Sequence, residues 1–112
     1  MYMRIFPRQE EENFYIHAGI TKGDFDDLLQ WPFPLKHKVH ILDQTKEGRT
    51  FEDIASRIWD PNKLCSEFNW QKPIKGDNYE CVGLGFPHDV LHQREYIRKD
   101  TVVIKLTVYL DP

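Results

Sequence analysis

No apolar run in the 112 residues approaches the roughly 20 needed for a membrane-spanning helix. The opening stretch MYMRIFPRQEEEN does not suit a signal peptide either, because its apolar part is short and acidic residues follow at once. A strong charge of one sign is also missing. Fifteen Lys and Arg stand against eighteen Asp and Glu, giving a formal charge of −3. That balance argues against a broad nucleic-acid surface, which needs a basic patch. Cysteine is scarce: Cys65 and Cys81 are the only two, and neither has a CxxC partner. A disulfide between them is one option. A single pair in a chain with a sizeable core reads better as two reduced thiols of an intracellular protein, and a cytoplasmic location is expected. Internal repeats, low-complexity tracts and heptads are absent, and helical periodicity is weak.

Alternation of apolar and polar residues is well represented. In residues 1–6, Met1, Met3 and Ile5 share one face, with Tyr2, Arg4 and Phe6 on the other. In 13–20, Phe14, Ile16, Ala18 and Ile20 oppose Tyr15 and His17. Val39 and Ile41 alternate with Lys38 and His40 in 38–44. The clearest run is 101–110, where Val102, Ile104, Leu106, Val108 and Leu110 alternate with Val103, Lys105, Thr107 and Tyr109. Such patterns predict half-buried antiparallel strands. One helical turn is expected over 24–29, capped by Asp24 and ended by Pro32. Residues 50–59 fit either a helix capped by Thr50, with Phe51, Ile54 and Ile58 on one face, or a strand and loop. Residues 82–90, with Gly83, Gly85 and Pro87, suit a short or edge strand. Glu10, Glu11 and Glu12 read as a solvated turn. The class is therefore all-β, a single domain over 1–112, with an antiparallel sandwich or barrel as the default.

Catalytic templates do not match. His37 and His40, three apart in a strand, face opposite ways and make poor co-ligands. His88 and His92 would align only on a helix, which Pro87 and the nearby glycines oppose. No spacing fits a zinc site. Ser56 and Ser66 sit in no nucleophile elbow, and Gly83-Leu84-Gly85 lacks the third glycine, helix and lysine of a phosphate loop. No metal, cofactor or catalytic residue is expected, and the chain is not expected to be an enzyme. What remains is a binding surface. Arg4 and Phe6 alternate onto one face of the first strand, Tyr15 and His17 onto one face of the second, and Phe86 closes a Gly-rich segment suited to an edge. An arginine and aromatics beside a free strand edge are equipment for taking up an extended peptide.

Four segments, in order, carry a family resemblance: KGDFDDLLQWPFPLKHKVHILDQ, EFNWQKP, VGLGFPHDV and YIRKDTVVIKLTV. The first resembles the KGxxDxLLxWPF segment of the TRAF C-domain, the tumour necrosis factor receptor-associated factor module also called MATH, with its strand ending in LDQ. The others resemble its F-Q-R/K-P stretch, its Gly- and aromatic-containing edge strand and its closing strand. The GLGF segment and the HQREYIRKD run lean towards the branch with an aromatic-Gly-aromatic edge. The resemblance covers nearly all of the chain. It implies an antiparallel β-sandwich of TRAF/MATH type, N-terminally truncated because the family's first strands have no counterpart before residue 1. It also implies an adaptor that binds short linear motifs of receptor cytoplasmic tails or signalling proteins, in pathways linked to ubiquitin ligases.

Carried over by position, Arg4 and Phe6 match the family's Arg-x-aromatic strand, and His17 stands near a pocket phenylalanine. Trp70 falls where a second pocket phenylalanine is usual. Leu84, Gly85 and Phe86 fall on the aromatic-Gly-aromatic edge, with Leu84 in place of an aromatic. The resemblance makes Trp31 and Phe33 core anchors of a corner that Pro32 and Pro34 stiffen, and Asp43 and Gln44 ligands of loop backbone. The alternative to a peptide adaptor is a structural, oligomerising sandwich that self-associates through free strand edges.

Overall fold

The structure is a computed structural model that describes residues 1–9, 12–45 and 52–111. In chain order it runs β1 (Tyr2–Gln9), β2 (Asn13–Gly19), a 3-10 turn (Asp26–Leu28), β3 (His37–Ile41), β4 (Ile54–Ala55), α1 (Glu67–Trp70), β5 (Gly83–Pro87), α2 (His88–Leu91), β6 (Ile97–Arg98), β7 (Thr101–Val102) and β8 (Ile104–Val108). The strands form two three-stranded antiparallel sheets, β1-β2-β5 and β4-β3-β8, and a β6-β7 ribbon. The alternation in 13–20 is what makes β2 a central strand. Phe14, Ile16 and Ala18 are buried against Val39 and Ile41 of β3, while Tyr15 and His17 face out half-buried. Burying each large aliphatic side chain contributes about 1.5–3 kcal/mol. Trp59, Leu91 and Tyr96 complete this core, and Leu84, Phe86, Ile104 and Leu106 pack against it.

A second, smaller cluster joins Ile20, Trp70 and Cys81, flanked by Trp31, Phe33 and Leu64. His37 connects the two clusters. It is 1% exposed, its Nδ1–H donates to the Leu35 carbonyl at 3.0 Å, and its ring contacts Phe33, Trp59 and Trp70. Desolvation holds its pKa below the ordinary histidine value, against the opposing pull of the Leu35 carbonyl. His40, three residues on, sits on the other face, as the strand period requires.

Asp43 and Gln44 tie loops to the end of β3. The buried Asp43 carboxylate accepts from the Thr45 hydroxyl, the backbone amides of Thr45 (3.0 Å) and Glu52 (3.1 Å), and Arg94 (3.0 Å). Gln44 donates to the carbonyls of Tyr96 (2.9 Å) and Thr101 (2.8 Å). The Thr45 hydroxyl is the largest influence pulling the Asp43 pKa down to about 2, with the Glu52 amide, Thr45 amide and Arg94 adding to it against burial. Because its folded pKa is depressed, Asp43 stabilises the fold fully above about pH 4, and that contribution is lost as pH falls towards 2. His37 has the same sign: unfolding lets it take up a proton below about pH 6.5. Thermal melts from pH 8 to pH 2 should therefore decline in two steps. Asp43→Asn should lower the melting temperature at pH 7 and remove the lower step; an unchanged acid limb would contradict the assignment.

Several expectations change. Cys65 and Cys81 are not reduced thiols: they form a disulfide, with Cα atoms 5.9 Å apart. The helical turn over 24–29 is a 3-10 turn whose N-cap is Phe25, not Asp24; the Asp26 carboxylate accepts from the Gly23 amide at 3.0 Å. Two further one-turn helices, α1 and α2, were not expected. The first has a capping box in which Ser66 and Asn69 bond reciprocally. The second, residues 88–91, makes His88 helical despite Pro87, which serves as N-cap. Residues 54–59 are extended, not helical: Ser56 and Trp59 donate to the β3 carbonyls of Val39 and His37. Leu110 is 79% exposed rather than in the core. The proposed Thr50 cap with Phe51, and Glu10 and Glu11 of the acidic turn, lie outside the described residues.

The radius of gyration, 15.7 Å, exceeds the roughly 13 Å typical of this length. Its extents, 47 × 32 × 26 Å, are those of an elongated body.

Candidate peptide-binding edge

Strand order sets the geometry. β2 lies between β1 and β5, so β5 presents its other edge unpaired among the described residues. The register puts Tyr2 opposite Gly19, Tyr15 opposite Gly85 and His17 opposite Gly83. Each ring covers its glycine. A Cβ added at Gly85 would stand 2.1 Å from the Tyr15 ring, and one at Gly83 would stand 2.7 Å from His17. Glycine leaves space for an aromatic laid flat across the strand, a known device for stabilising edge glycines. The outer face is thus a low aromatic platform. Phe6 meets His17 edge-on at 5.5 Å, and Tyr15 stacks on His17 at 6.1 Å. His17 is oriented by its Nδ1–H, which donates to the Cys81 carbonyl at 2.9 Å.

Arg4 borders this platform, but it is already engaged. Its guanidinium pairs with Glu80 at 2.8 Å and Asp77 at 3.3 Å. It also lies 5.1 Å from the Tyr2 ring centroid. The Tyr2 hydroxyl donates to the Asn78 carbonyl at 2.6 Å. Burial, then the Glu80 charge, push the Tyr2 pKa above the ordinary phenol value. The segment before β5 is thereby pinned to β1 from across β2.

Of the residues expected in the site, Arg4, Phe6, His17 and Gly85 share the outer face. Leu84 and Phe86 do not. Alternation turns both inward, and Phe86 stacks on Phe14 at 5.5 Å against the core. Trp70 lies elsewhere again: it is 2% exposed, and its indole N–H donates to the Leu64 carbonyl at 3.0 Å. It anchors the second cluster of the core. Tyr15 belongs to the platform, and its exposed alternation in the sequence already marked it.

The inner side of the β5 edge opens on a cleft of about 660 Å³, lined by residues 55–60, Lys63, Leu64 and 82–85. Its far wall was not foreseen, because the period of 50–59 fitted two structures; the extended alternation of Ile54 and Ser56 with Ala55 and Arg57 is the signal that identifies it. Among the described residues no group of His, Cys, Asp and Glu could hold a metal ion, and no helix is long and apolar enough to cross a membrane.

Fold and site together define an all-β sandwich with an open, aromatic-flanked strand edge. Residues 1–105 match the family model of the TRAF/meprin MATH domain, and the chain belongs to that family. Among curated proteins it is 28% identical over 98 residues to TNF receptor-associated factor 6-A of Xenopus laevis, which covers 86% of this chain and 16% of the relative. It is 30% identical over 101 residues to TNF receptor-associated factor 5 of Homo sapiens, covering 85% and 16% respectively. With TNF receptor-associated factor 6 of Xenopus tropicalis it shares 30% over 103 residues, covering 88% and 17%. The chain spans about one sixth of the length of these relatives.

Proposed function

We propose that the chain is a signalling adaptor domain that binds short linear motifs of receptor tails or signalling proteins by adding them as a strand to β5. The observation that carries this is the unpaired β5 edge, flanked by the Phe6, Tyr15 and His17 platform. Main-chain hydrogen bonds to the edge supply affinity, and the flanking side chains supply selectivity. The names of the relatives, TNF receptor-associated factors, support a place beside receptors; a cytoplasmic location and a link to ubiquitin-ligase pathways are part of the same proposal.

The test is an array of receptor-tail peptides probed with wild type and with Gly85→Val. No positive φ is present at Gly85, so the strand accepts a side chain; what must move is the Tyr15 ring. The variant should stay folded by circular dichroism and lose about tenfold or more in affinity. Equal binding by both proteins would sink the proposal.

One observation favours the oligomerising alternative. Met3 and Ile5, on the core-side face of edge strand β1, are 38% and 42% exposed. Apolar surface on a free edge invites pairing. Light scattering separates the two: an obligate dimer that binds no peptide supports self-pairing, and a monomer that binds peptide supports the adaptor.

A further inference from the structure

An extended segment added to β5 must alternate its side chains as β5 does. One set lies over the Tyr15 platform and the other enters the cleft between the sheets. On the platform side Arg4 is already engaged, paired to both Asp77 and Glu80. The cleft side differs. Arg57 and Lys63 line it, and neither makes an ion pair among the described residues. The single carboxylate in the lining, Asp60, accepts from the Asn62 amide at 3.0 Å. The lining therefore carries a formal balance of +1, from Arg57 and Lys63 against Asp60. Beside these cations stands open apolar surface: Ile58 is 54% exposed and Val82 45%. Leu64 and Leu84 continue it inward towards the core. The cleft also has a free strand edge on each side, β5 on one and the extended 54–59 segment bonded to β3 on the other.

We propose that this cleft selects the ligand: it takes the inward-facing side chains of the added strand, an acidic one against Arg57 and Lys63 and an apolar one against Ile58, Val82 and Leu84. The inference rests on strand addition to β5 and specifies its chemistry. Acid recognition falls to the far wall of the cleft and not to Arg4, which Asp77 and Glu80 already engage. A volume of about 660 Å³ accommodates such side chains and lies within the range of specific pockets. An Arg57 guanidinium can grip a carboxylate with two parallel hydrogen bonds, whereas Lys63 adds a point charge.

The test uses immobilised ten-residue peptides, each acidic sequence matched by a version with Asn for Asp and Gln for Glu. Binding is measured for wild type, for the double variant Arg57→Glu, Lys63→Glu, and for Lys99→Glu, Lys105→Glu, which makes the same change in net charge on other elements. The acidic peptides should bind wild type about tenfold more tightly than their amide counterparts. The cleft variant should abolish or reverse that preference, while the Lys99, Lys105 variant keeps it. Circular dichroism checks that the cleft variant folds; if it does not, the milder Arg57→Gln, Lys63→Gln variant takes its place and should likewise lose the acid preference. Peptides that bind without acid preference, or a folded cleft variant that keeps it, overturn this inference and leave strand addition standing. If no peptide binds, strand addition falls and this inference falls with it.

Discussion

Replacing Trp70 by alanine is expected to cost about 3–5 kcal/mol, enough to unfold a domain whose total stability lies near the usual 5–15 kcal/mol. The indole is 2% exposed, stacks on Phe33 at 6.1 Å and meets the His37 ring edge-on at 5.5 Å. Two hydrogen bonds place it: its N–H donates to Leu64 at 3.0 Å, and its carbonyl accepts from the Phe33 amide at 2.7 Å. Removing the ring opens a cavity under the Trp31-Pro32-Phe33 corner and leaves His37 with water access it lacks in the fold. Urea denaturation followed by fluorescence should show a lower midpoint at an unchanged slope. Trp70→Phe, which keeps the stack but not the N–H, should recover most of the loss. If Trp70→Ala lost less than about 1 kcal/mol, the second cluster would not be part of the cooperative core.

The second large effect is expected on reducing the disulfide. Cys65 and Cys81 close a loop with a sequence separation of 16. A loop of that size stabilises a fold by about 3 kcal/mol, mainly by restricting the unfolded chain. Reduction with dithiothreitol should lower wild-type stability by about that amount and leave Cys65→Ser unaffected. The bond joins the residue after Leu64 to the residue before Val82, so each end is next in sequence to a residue lining the cleft. In a reducing compartment, where thiols are kept reduced, the domain would lack this constraint, and the proposed peptide affinity measured with and without reductant would differ. Wild-type stability that did not respond to reductant would contradict the expectation.

How far the sequence foretold these features varies with the physics of each. The alternation of Phe14, Ile16 and Ala18 was readable because β2 is central and buried on one face. The 101–110 run was readable as strand but not as two strands. Its break at Val103 arises from a change of partner, β7 pairing with β6 and β8 with β3. Asp43 and Gln44 were correctly expected to bond loop backbone, since a polar pair ending a buried strand needs partners. His37 could not be recognised as a core residue, because its burial depends on a carbonyl and three aromatic rings brought together by tertiary packing. The disulfide was missed for a similar reason: composition favours reduced thiols, and only the fold brings the two Cα atoms to 5.9 Å.

In the candidate site, strand period put Arg4 with Phe6 and Tyr15 with His17, and the β1–β2 register joins the two pairs on one face. The same period, applied to 82–87, would have turned Leu84 and Phe86 inward opposite Ile16 and Phe14. Position within a family pattern says nothing about depth, which is why Trp70 was expected in a pocket and lies in the core. The neutralisation of Arg4 by Asp77 and Glu80 spans more than 70 residues of sequence and had no local signal.

The most direct measurement is hydrogen exchange of the β5 backbone, residues Gly83–Pro87, with and without a saturating peptide selected from the array. Strand addition predicts that the β5 amides not bonded to β2 slow by at least about tenfold, while amides on the outer edges of β1 and β8 are unchanged. Protection confined to the β1 edge, or none at β5, would contradict it.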